Sequence, residues 1–257
     1  MRIYVCVKHV PDTAARITIL ENHQIDDRIT FIMNPYDENA IEEAVRIKNN
    51  TADVEIVAVT LGSQAAETTL RSALAMGADR GILIHTDELP DSLVTAAALK
   101  AAIETDGKPD LIFTGKESID SEGFQTMFRL AADFNIPAAS NVIAFALEQD
   151  SAIVECEHGG GTREVIEMSL PCVVGAAKSL NKPNYPTLPA IMKARKKEIK
   201  EIDINDLGFE EPLGRVEILE LRPAIEERQP KELSGTPDEA AGKIVIILQE
   251  EARVLHD

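Results

Sequence analysis

Short apolar runs alternate with amphipathic stretches along the first half of the chain. Four apolar runs predict buried strands, over residues 3–7, 54–61, 81–85 and 111–113. Between them, apolar residues recur at helical spacing and predict helices over residues 35–48, 64–76 and 92–105. Strands and helices that alternate in this way predict an α/β fold, a Rossmann-like open and mostly parallel sheet with helices on both faces.

Hairpins are predicted at two places outside this alternation. Residues 17–20 and 28–31 flank a polar turn at 22–24, which predicts a small hairpin. After Asn135, alternating runs at 152–156 and 163–170 flank three consecutive glycines, which predicts an inserted hairpin near 151–170. A further strand is expected at 172–176.

The C-terminal part of the chain has a different composition. From about residue 190 it is charged and interrupted by prolines, and Thr236 with Glu239 forms a capping-box pattern before a last apolar helix. We therefore expect an α/β domain over 1–190 and a C-terminal extended arm over 191–257. An apolar helix on such an arm is expected to pack on a partner subunit.

Composition excludes several classes of function. The formal net charge of −18 disfavours a nucleic-acid binder. Three cysteines without metal-site spacing and isolated histidines predict free thiols in a reducing compartment and no metal site. The N-terminal apolar run is too short for a signal peptide, and no run reaches the roughly 20 apolar residues of a membrane span. We expect a cytoplasmic protein without membrane insertion.

Candidate chemistry lies where the predicted strands end. Ligands of open parallel sheets lie beyond the carboxyl ends of the strands. Gly115 to Thr126 links a strand to a helix there, so backbone N–H groups and the helix dipole favour an anion, although an ordinary strand-to-helix turn is equally compatible. Asn34 and Pro35 suit the first positions of another helix. GxSxG, GxxxxGK[ST] and GxGxxG motifs are absent from the sequence, so the residues alone indicate nucleotide binding without catalysis.

Several short segments carry a family resemblance that covers nearly the whole chain. They lie at residues 7–13, 33–36, 75–81, 115–116, 119–120, 125–126, 159–160, 170–171, 185 and 187–194. In this order and spacing they resemble the β subunits of electron transfer flavoproteins. The resemblance implies an adenine nucleotide α-hydrolase-like fold and a heterodimer with an α subunit that holds most of the FAD.

The same resemblance implies a function as an electron carrier without substrate chemistry of its own. Such a heterodimer accepts electrons from acyl-CoA dehydrogenase-type flavoenzymes and delivers them to a membrane quinone reductase. Its β subunit commonly buries a structural AMP. In the flavin-bifurcating branch a second FAD takes that pocket, and an empty pocket is a third possibility.

Site residues follow from the resemblance by position. Thr13 and His158 should approach the flavin, and Leu188 should dock on dehydrogenases. The nucleotide should contact Cys6, Asn34, Pro35, Tyr36, Asp37, Leu61, Gly115, Lys116, Ile119, Asp120, Ser121, Glu122, Gly123, Phe124, Gln125 and Thr126.

Two other functions remain as alternatives. An adenine-nucleotide hydrolase or pyrophosphatase needs an SGGxDS-like loop after the first strand, and residues 8–12 do not contain one. A universal-stress-type nucleotide sensor would leave residues 187–189 and the arm unexplained.

Overall fold

The computed structural model describes residues 1–20, 25–26, 28–88, 90–208, 216, 218–222 and 232–254. The chain divides into two compact units, Met1–Leu219 and Glu220–Asp257. In the described part of the chain, no helix combines the length and apolar character that crossing a membrane requires.

The first unit is built on strands and helices that mostly alternate along the chain. The strands are β1 Arg2–Cys6, β2 His9–Pro11, β3 Phe31–Met33, β4 Glu55–Gly62, β5 Arg80–His85, β6 Leu111–Gly115, β7 Ala138–Leu147, β8 Ser151–Glu157, β9 Arg163–Ser169, β10 Cys172–Ala176 and β11 Ile199–Asp203. Its helices are α1 Pro35–Asn50, α2 Glu67–Met76, α3 Ser92–Asp106, α4 Thr126–Phe134 and α5 Leu188–Ala194.

A nine-stranded sheet runs through the unit in the order β11-β5-β4-β1-β6-β10-β7-β8-β9. Neighbouring strands from β11 to β7 pair in parallel, and β7, β8 and β9 pair antiparallel. Alternate residues of β1 serve opposite faces: Ile3 and Val5 pack with residues of α1 and α2, whereas Tyr4 packs with residues of α3 and α4. This arrangement confirms the predicted α/β fold.

The first predicted hairpin, between residues 17–20 and 28–31, is wrong in which residues pair. Antiparallel pairing joins His9–Pro11 to Phe31–Met33, and farther along only Ile19 and Ile25 form an isolated bridge among the described residues. The predicted turn at 22–24 lies outside the described residues. Pro11 occupies the last position of the edge strand β2, where a missing N–H is tolerated.

Strand β7, in the antiparallel part of the sheet, is one that the hydrophobic pattern did not predict. β8 and β9 pair through the stretch where the inserted hairpin was expected. β7 precedes them, and its register shifts near Asn141, which has a left-handed backbone conformation at φ 55°. That irregularity breaks the alternation by which a strand is recognised.

Residues beyond 190 extend the sheet before the chain reaches the second unit. β11 adds a parallel edge strand next to β5. Arg71 of α2 donates to the carbonyls of Ala194 and Lys197, which holds the connection from α5 against α2. The sequence-based boundary at 190 therefore differs from the division in the structure, which falls after Leu219.

The second unit contains one α-helix among its described residues. α6, Pro237–Ile246, begins with the predicted capping box, in which Thr236 and Glu239 each bond the other's backbone N–H. Ile244, Val245 and Ile246 on this helix are exposed.

The attachment of β11 predicts a specific stability effect at Lys197. Its ammonium donates to the carbonyls of Leu74 at 2.9 Å and Ala78 at 2.5 Å, at the C-terminal end of α2. We expect Lys197→Met to lower the free energy of unfolding by about 1–3 kcal/mol, because both carbonyls lose their donor. Urea unfolding measures this change.

The neighbouring Lys196→Met is the matched control. Lys196 is exposed, so its loss should change the free energy of unfolding by less than about 0.5 kcal/mol. Equal losses in the two variants would contradict an anchoring role of Lys197.

Candidate functional site

A buried carboxylate joins three segments at the carboxyl end of the sheet. Asp37, in the first turn of α1, is 4% exposed. One of its oxygens accepts from the backbone N–H of Lys8 at 2.7 Å, and the other accepts from that of Gly115 and from the side-chain amide of Asn34, both at 2.9 Å. The ends of β1 and β6 and the start of α1 therefore meet at one group.

Asn34 occupies the predicted N-cap position of α1, but its side chain makes no capping hydrogen bond. Its amide nitrogen instead donates to Asp37 and to the Glu117 carbonyl at 2.9 Å, and its oxygen accepts from the Ile119 N–H at 3.2 Å. Asn34 thus fastens the loop after β6 to the start of α1.

Position 115 must be a glycine because β6 and the start of α1 lie so close together. A Cβ built on it would lie 2.6 Å from the Cβ of Tyr36 and 3.0 Å from the amide nitrogen of Asn34, and would overlap the Asp37 carboxylate. The missing side chain lets β6 approach α1.

An ion pair ties the same loop to β1. The Lys8 ammonium donates to both carboxylate oxygens of Asp120, at 2.7 and 2.8 Å, and reaches the hydroxyls of Ser118 and Ser121 at 3.3 and 3.5 Å. Burial by itself raises the pKa of Asp120, but the Lys8 charge lowers it below the ordinary value. Asp120 therefore stays ionised and is neutralised by Lys8.

Burial is the main cause of the pKa shifts of Asp37 and Cys6. It raises the pKa of Asp37 to about 7, against the hydrogen bonds from Asn34, Lys8 and Gly115, which lower it. Burial also raises the pKa of Cys6 to about 12, and the Asp37 charge adds to the rise. The Cys6 thiol is thus protonated at neutral pH, which makes it a poor nucleophile.

Some backbone N–H groups of the loop from Gly115 to Thr126 already donate hydrogen bonds within the protein. Those of Gly115, Lys116, Ile119 and Glu122 donate to protein oxygens. The amides at 123–126 lie at the start of α4, where the helix dipole favours an anion. The predicted anion site is therefore expected at the second half of the loop, next to the start of α4.

A cavity of about 430 Å³ opens beside this second half. Phe124 and Phe128 line it with their rings 5.9 Å apart, and they are 40% and 42% exposed. The Ser140 hydroxyl, which is buried and has no hydrogen-bond partner among the described residues, belongs to a residue of the same wall. Lys116, Asn141, Glu157 and His158 complete its polar side.

The structure brings together some predicted site residues and separates others. Tyr36 lies under the Lys116 ammonium, 5.2 Å from the ring centroid. The side-chain oxygen of Gln125 accepts from the Arg129 guanidinium at 2.7 Å. Thr13 and Leu188 are exposed and lie outside the hydrogen bonds around Asp37. The residues at strand ends, in the α1 turn or in the loop are Cys6, Asn34, Pro35, Tyr36, Asp37, Leu61, Gly115, Lys116, Ile119, Asp120, Ser121, Glu122, Gly123, Phe124 and Thr126.

Three residues of this region escaped the sequence-based prediction. Lys8 directly follows a strand and could have been selected as a cation at its carboxyl end. Ser140 and Asn141 lie on the strand that the pattern did not predict. Among the described residues, no group of His, Cys, Asp and Glu side chains is arranged to hold a metal ion.

Comparison with known proteins agrees with the resemblance. The chain matches the family model described as "Electron transfer flavoprotein domain" over residues 23–207. It is 36% identical over 260 residues to the electron transfer flavoprotein subunit beta of Bacillus subtilis (strain 168), covering 99% of this chain and 100% of that protein. The subunit beta of Syntrophomonas wolfei is 39% identical over 199 residues, 77% of this chain and 78% of that protein. That of Mus musculus is 36% identical over 262 residues, 99% of each.

The tight packing at Gly115 predicts the effect of adding one methyl group. We expect Gly115→Ala to separate β6 from α1 and to lower the free energy of unfolding by about 2–4 kcal/mol, because the new Cβ overlaps buried atoms. Gly62→Ala, at the end of β4, is the control, since its Cβ would meet only Ala66 at 3.4 Å. Thermal unfolding compares the two variants, and similar melting temperatures would argue against the close approach.

Asp37 predicts a pH dependence of stability. Because its pKa rises from 3.8 to about 7 in the fold, the native state keeps a proton that the unfolded chain loses. The resulting stabilisation is present below about pH 4 and is lost as the pH rises through about 7. Asp37→Asn should remove this slope and cost about 2–3 kcal/mol, because its amide N–H group faces another donor.

Urea unfolding at a series of pH values measures this slope. Asp133→Asn, a change of an exposed carboxylate on α4, should leave the profile of the wild type unchanged. Parallel profiles for the wild type and Asp37→Asn would exclude the titration of Asp37 as the cause.

Proposed function

Since the chain belongs to the electron transfer flavoprotein family, as a β subunit, we propose that it pairs with an FAD-bearing α subunit. The heterodimer would carry electrons from acyl-CoA dehydrogenase-type flavoenzymes to a membrane quinone reductase. This chain would act as an electron-carrier subunit without substrate chemistry of its own. Its buried free thiols, Cys156 and Cys172, suit a reducing compartment, and the cytoplasm is the proposed location.

AMP is the proposed occupant of the pocket at the strand ends. The observation that carries this proposal is the buried Asp37 carboxylate, which fixes the loop after β6 against α1. That loop stands where open parallel sheets bind ligands, and its last residues present the start of α4 to an anion. The Lys8–Asp120 pair at 2.7 Å supports AMP further, because Asp120 no longer repels a phosphate.

The cavity beside Phe124 has a chemistry that fits the ring of FAD. Phe124 and Phe128 offer aromatic surface, Lys116 offers a positive charge, and the unpartnered Ser140 hydroxyl offers a hydrogen bond. The His158 imidazole lies 3.1 Å from the Glu164 carboxylate, which would orient it toward the ligand. Bound FAD supplies the electron transfer, and these residues would position it and exclude water from it. Thr13 is proposed to approach the flavin at the subunit interface.

Leu188 is the proposed anchor for dehydrogenase partners. It is 72% exposed at the first position of α5, between Pro186 and Pro189. Tyr185 and Met192, 92% and 52% exposed, extend this apolar surface. A loop stiffened by proline loses little entropy on binding, which suits a transient partner.

The alternative of an adenine-nucleotide hydrolase loses support in the structure. In that alternative a glycine-rich loop follows the first strand. Here Asn34 donates its N–H to the Lys8 carbonyl, and His9–Pro11 pair with Phe31–Met33. This stretch is therefore held in antiparallel pairing and is not arranged as a phosphate-binding loop.

Identification of the bound nucleotides tests the proposed function. This chain is co-expressed with an α subunit, the yellow heterodimer is purified and denatured, and the released nucleotides are separated by chromatography. We expect FAD and AMP in equal amounts, because the α subunit and this chain would each hold one nucleotide. Gly115→Ala should lose AMP and keep FAD, whereas Gly62→Ala should keep both.

Other outcomes would each contradict part of the proposal. Release of FAD alone at twice the expected amount would identify a second flavin in the β-subunit pocket. FAD without AMP would identify an empty pocket. A colourless monomer that hydrolyses ATP would overturn the electron-carrier function.

A further inference from the structure

The middle of α1 buries polar side chains that the candidate site does not use. Asn39, Glu42 and Glu43 are 2%, 5% and 7% exposed. Buried carboxylates are costly unless charged or hydrogen-bonding partners compensate their lost hydration. The side chains of these three residues make hydrogen bonds to residues 178, 181 and 184, far along the chain, which indicates that α1 holds this segment.

Asn39 and Asn181 make a reciprocal contact. The amide of Asn39 donates to the carbonyl and the side-chain oxygen of Asn181, both at 2.9 Å. The amide of Asn181 donates to the Asn39 carbonyl at 2.9 Å and to the Glu43 carboxylate at 2.8 Å. This contact fixes the chain where it leaves the strand β10 region.

Glu42 makes the second contact with both of its carboxylate oxygens. One oxygen accepts from the backbone N–H of Asn184 at 3.0 Å, and the other accepts from the side-chain amide of Asn184 at 2.8 Å. The Arg46 guanidinium lies 3.6 Å from the Glu42 carboxylate and balances its charge. Hydrogen bonds to an ionised acceptor are about twice as strong as neutral ones, so Glu42 holds Asn184 firmly.

Asn184 is the last residue before the proposed docking surface. Residues 181–187 form no helix or strand, so ladder hydrogen bonds do not define their path. Tyr185 follows directly, and Leu188 opens α5. The position of this apolar surface therefore depends on side-chain bonds at its start and on α5 at its end.

We propose that Glu42 is a positioning residue that sets the docking surface of Tyr185, Leu188 and Met192 by holding Asn184. The proposal rests on the proposed function, in which Leu188 anchors a dehydrogenase partner. Glu42 makes no contact with that partner and acts only through Asn184. Without the Glu42 carboxylate, the side chains of the docking surface should no longer be held in one orientation.

Two measurements on the heterodimer test the role of Glu42. Hydrogen exchange of residues 181–192 reports whether the segment is held. The rate at which a purified acyl-CoA dehydrogenase with octanoyl-CoA reduces the heterodimer's flavin, over a range of heterodimer concentrations, reports docking. Reduction by dithionite is the comparison, because it needs no docked partner.

Glu42→Ala should raise the exchange rate of the Asn184 amide about tenfold or more, as expected for a lost charge-assisted hydrogen bond. It should also raise the KM for the heterodimer several-fold with kcat unchanged, as Leu188→Ala should. Glu42→Gln should restore part of both, because its amide oxygen still accepts from the Asn184 N–H. Glu104→Ala, which changes an exposed carboxylate on α3, should match the wild type, and dithionite reduction should be the same for every variant.

The outcomes separate this inference from the proposed function. If Leu188→Ala raises KM and Glu42→Ala leaves KM or the Asn184 exchange rate unchanged, the positioning role is overturned and docking stands. If Leu188→Ala has no effect, or if the dehydrogenase does not reduce the wild type, the proposed function fails and the role of Glu42 in it fails as well. Should Glu42→Ala not fold, Asn184→Ala removes the side-chain bond to Glu42 from the exposed side and keeps the backbone one. A raised KM and a faster exchange of the residue-184 amide would then support the positioning role, and wild-type values of both would overturn it.

Discussion

The carboxylate of Asp37 is the contact on which this end of the sheet depends. Its donors come from the end of β1, the end of β6 and the turn before α1, which lie far apart in the chain. A buried carboxyl group is costly by itself, and here three N–H donors offset much of that cost. Gly115 must lack a side chain for the same reason, since the donors converge within a space that a methyl group would fill. Asp37 fixes the start of the loop after β6, and Asn34 and Lys8 hold the residues that follow.

The hydrophobic pattern predicted the central strands and the hairpin β8–β9 at one border of the sheet, and it missed β7 and the strand at the other border, β11. Strands β1, β4, β5 and β6 are buried on both faces and appear as continuous apolar runs. β11 is half-exposed and carries Lys200, Glu201 and Asp203, so its sequence has the composition of an arm. Edge strands are commonly charged because charge protects an open edge from other chains. A pattern that recognises burial therefore does not identify a charged edge strand such as β11.

The location of the candidate site could be predicted from the sequence, whereas its side-chain hydrogen bonds and the exposure of its aromatic residues could not. Strand ends and the loop with Gly115 follow from general rules for parallel sheets, and the N-cap position of Asn34 follows from local preference. The hydrogen-bond partners of the Asn34 side chain could not be predicted, because Ile119 and Glu117 approach it only in the folded chain. Phe124 and Phe128 have the spacing of a buried helix stripe, yet they remain exposed beside a cavity. Such exposed aromatic residues become understandable only once a ligand or partner is considered.

Helix α1 gives this subunit an unusual genetic property. Its first turn carries Asp37, and Glu42 follows five residues later, about 7.5 Å along the helix axis. A single rigid element thus contacts the proposed nucleotide site at one point and the segment before Leu188 at the next. We therefore expect substitutions in α1 to be pleiotropic, so that a loss of electron transfer in such a mutant would not identify which of the two was damaged. Mutations in the loop after β6 or in α5 should affect one of them at a time, which would make them the informative alleles.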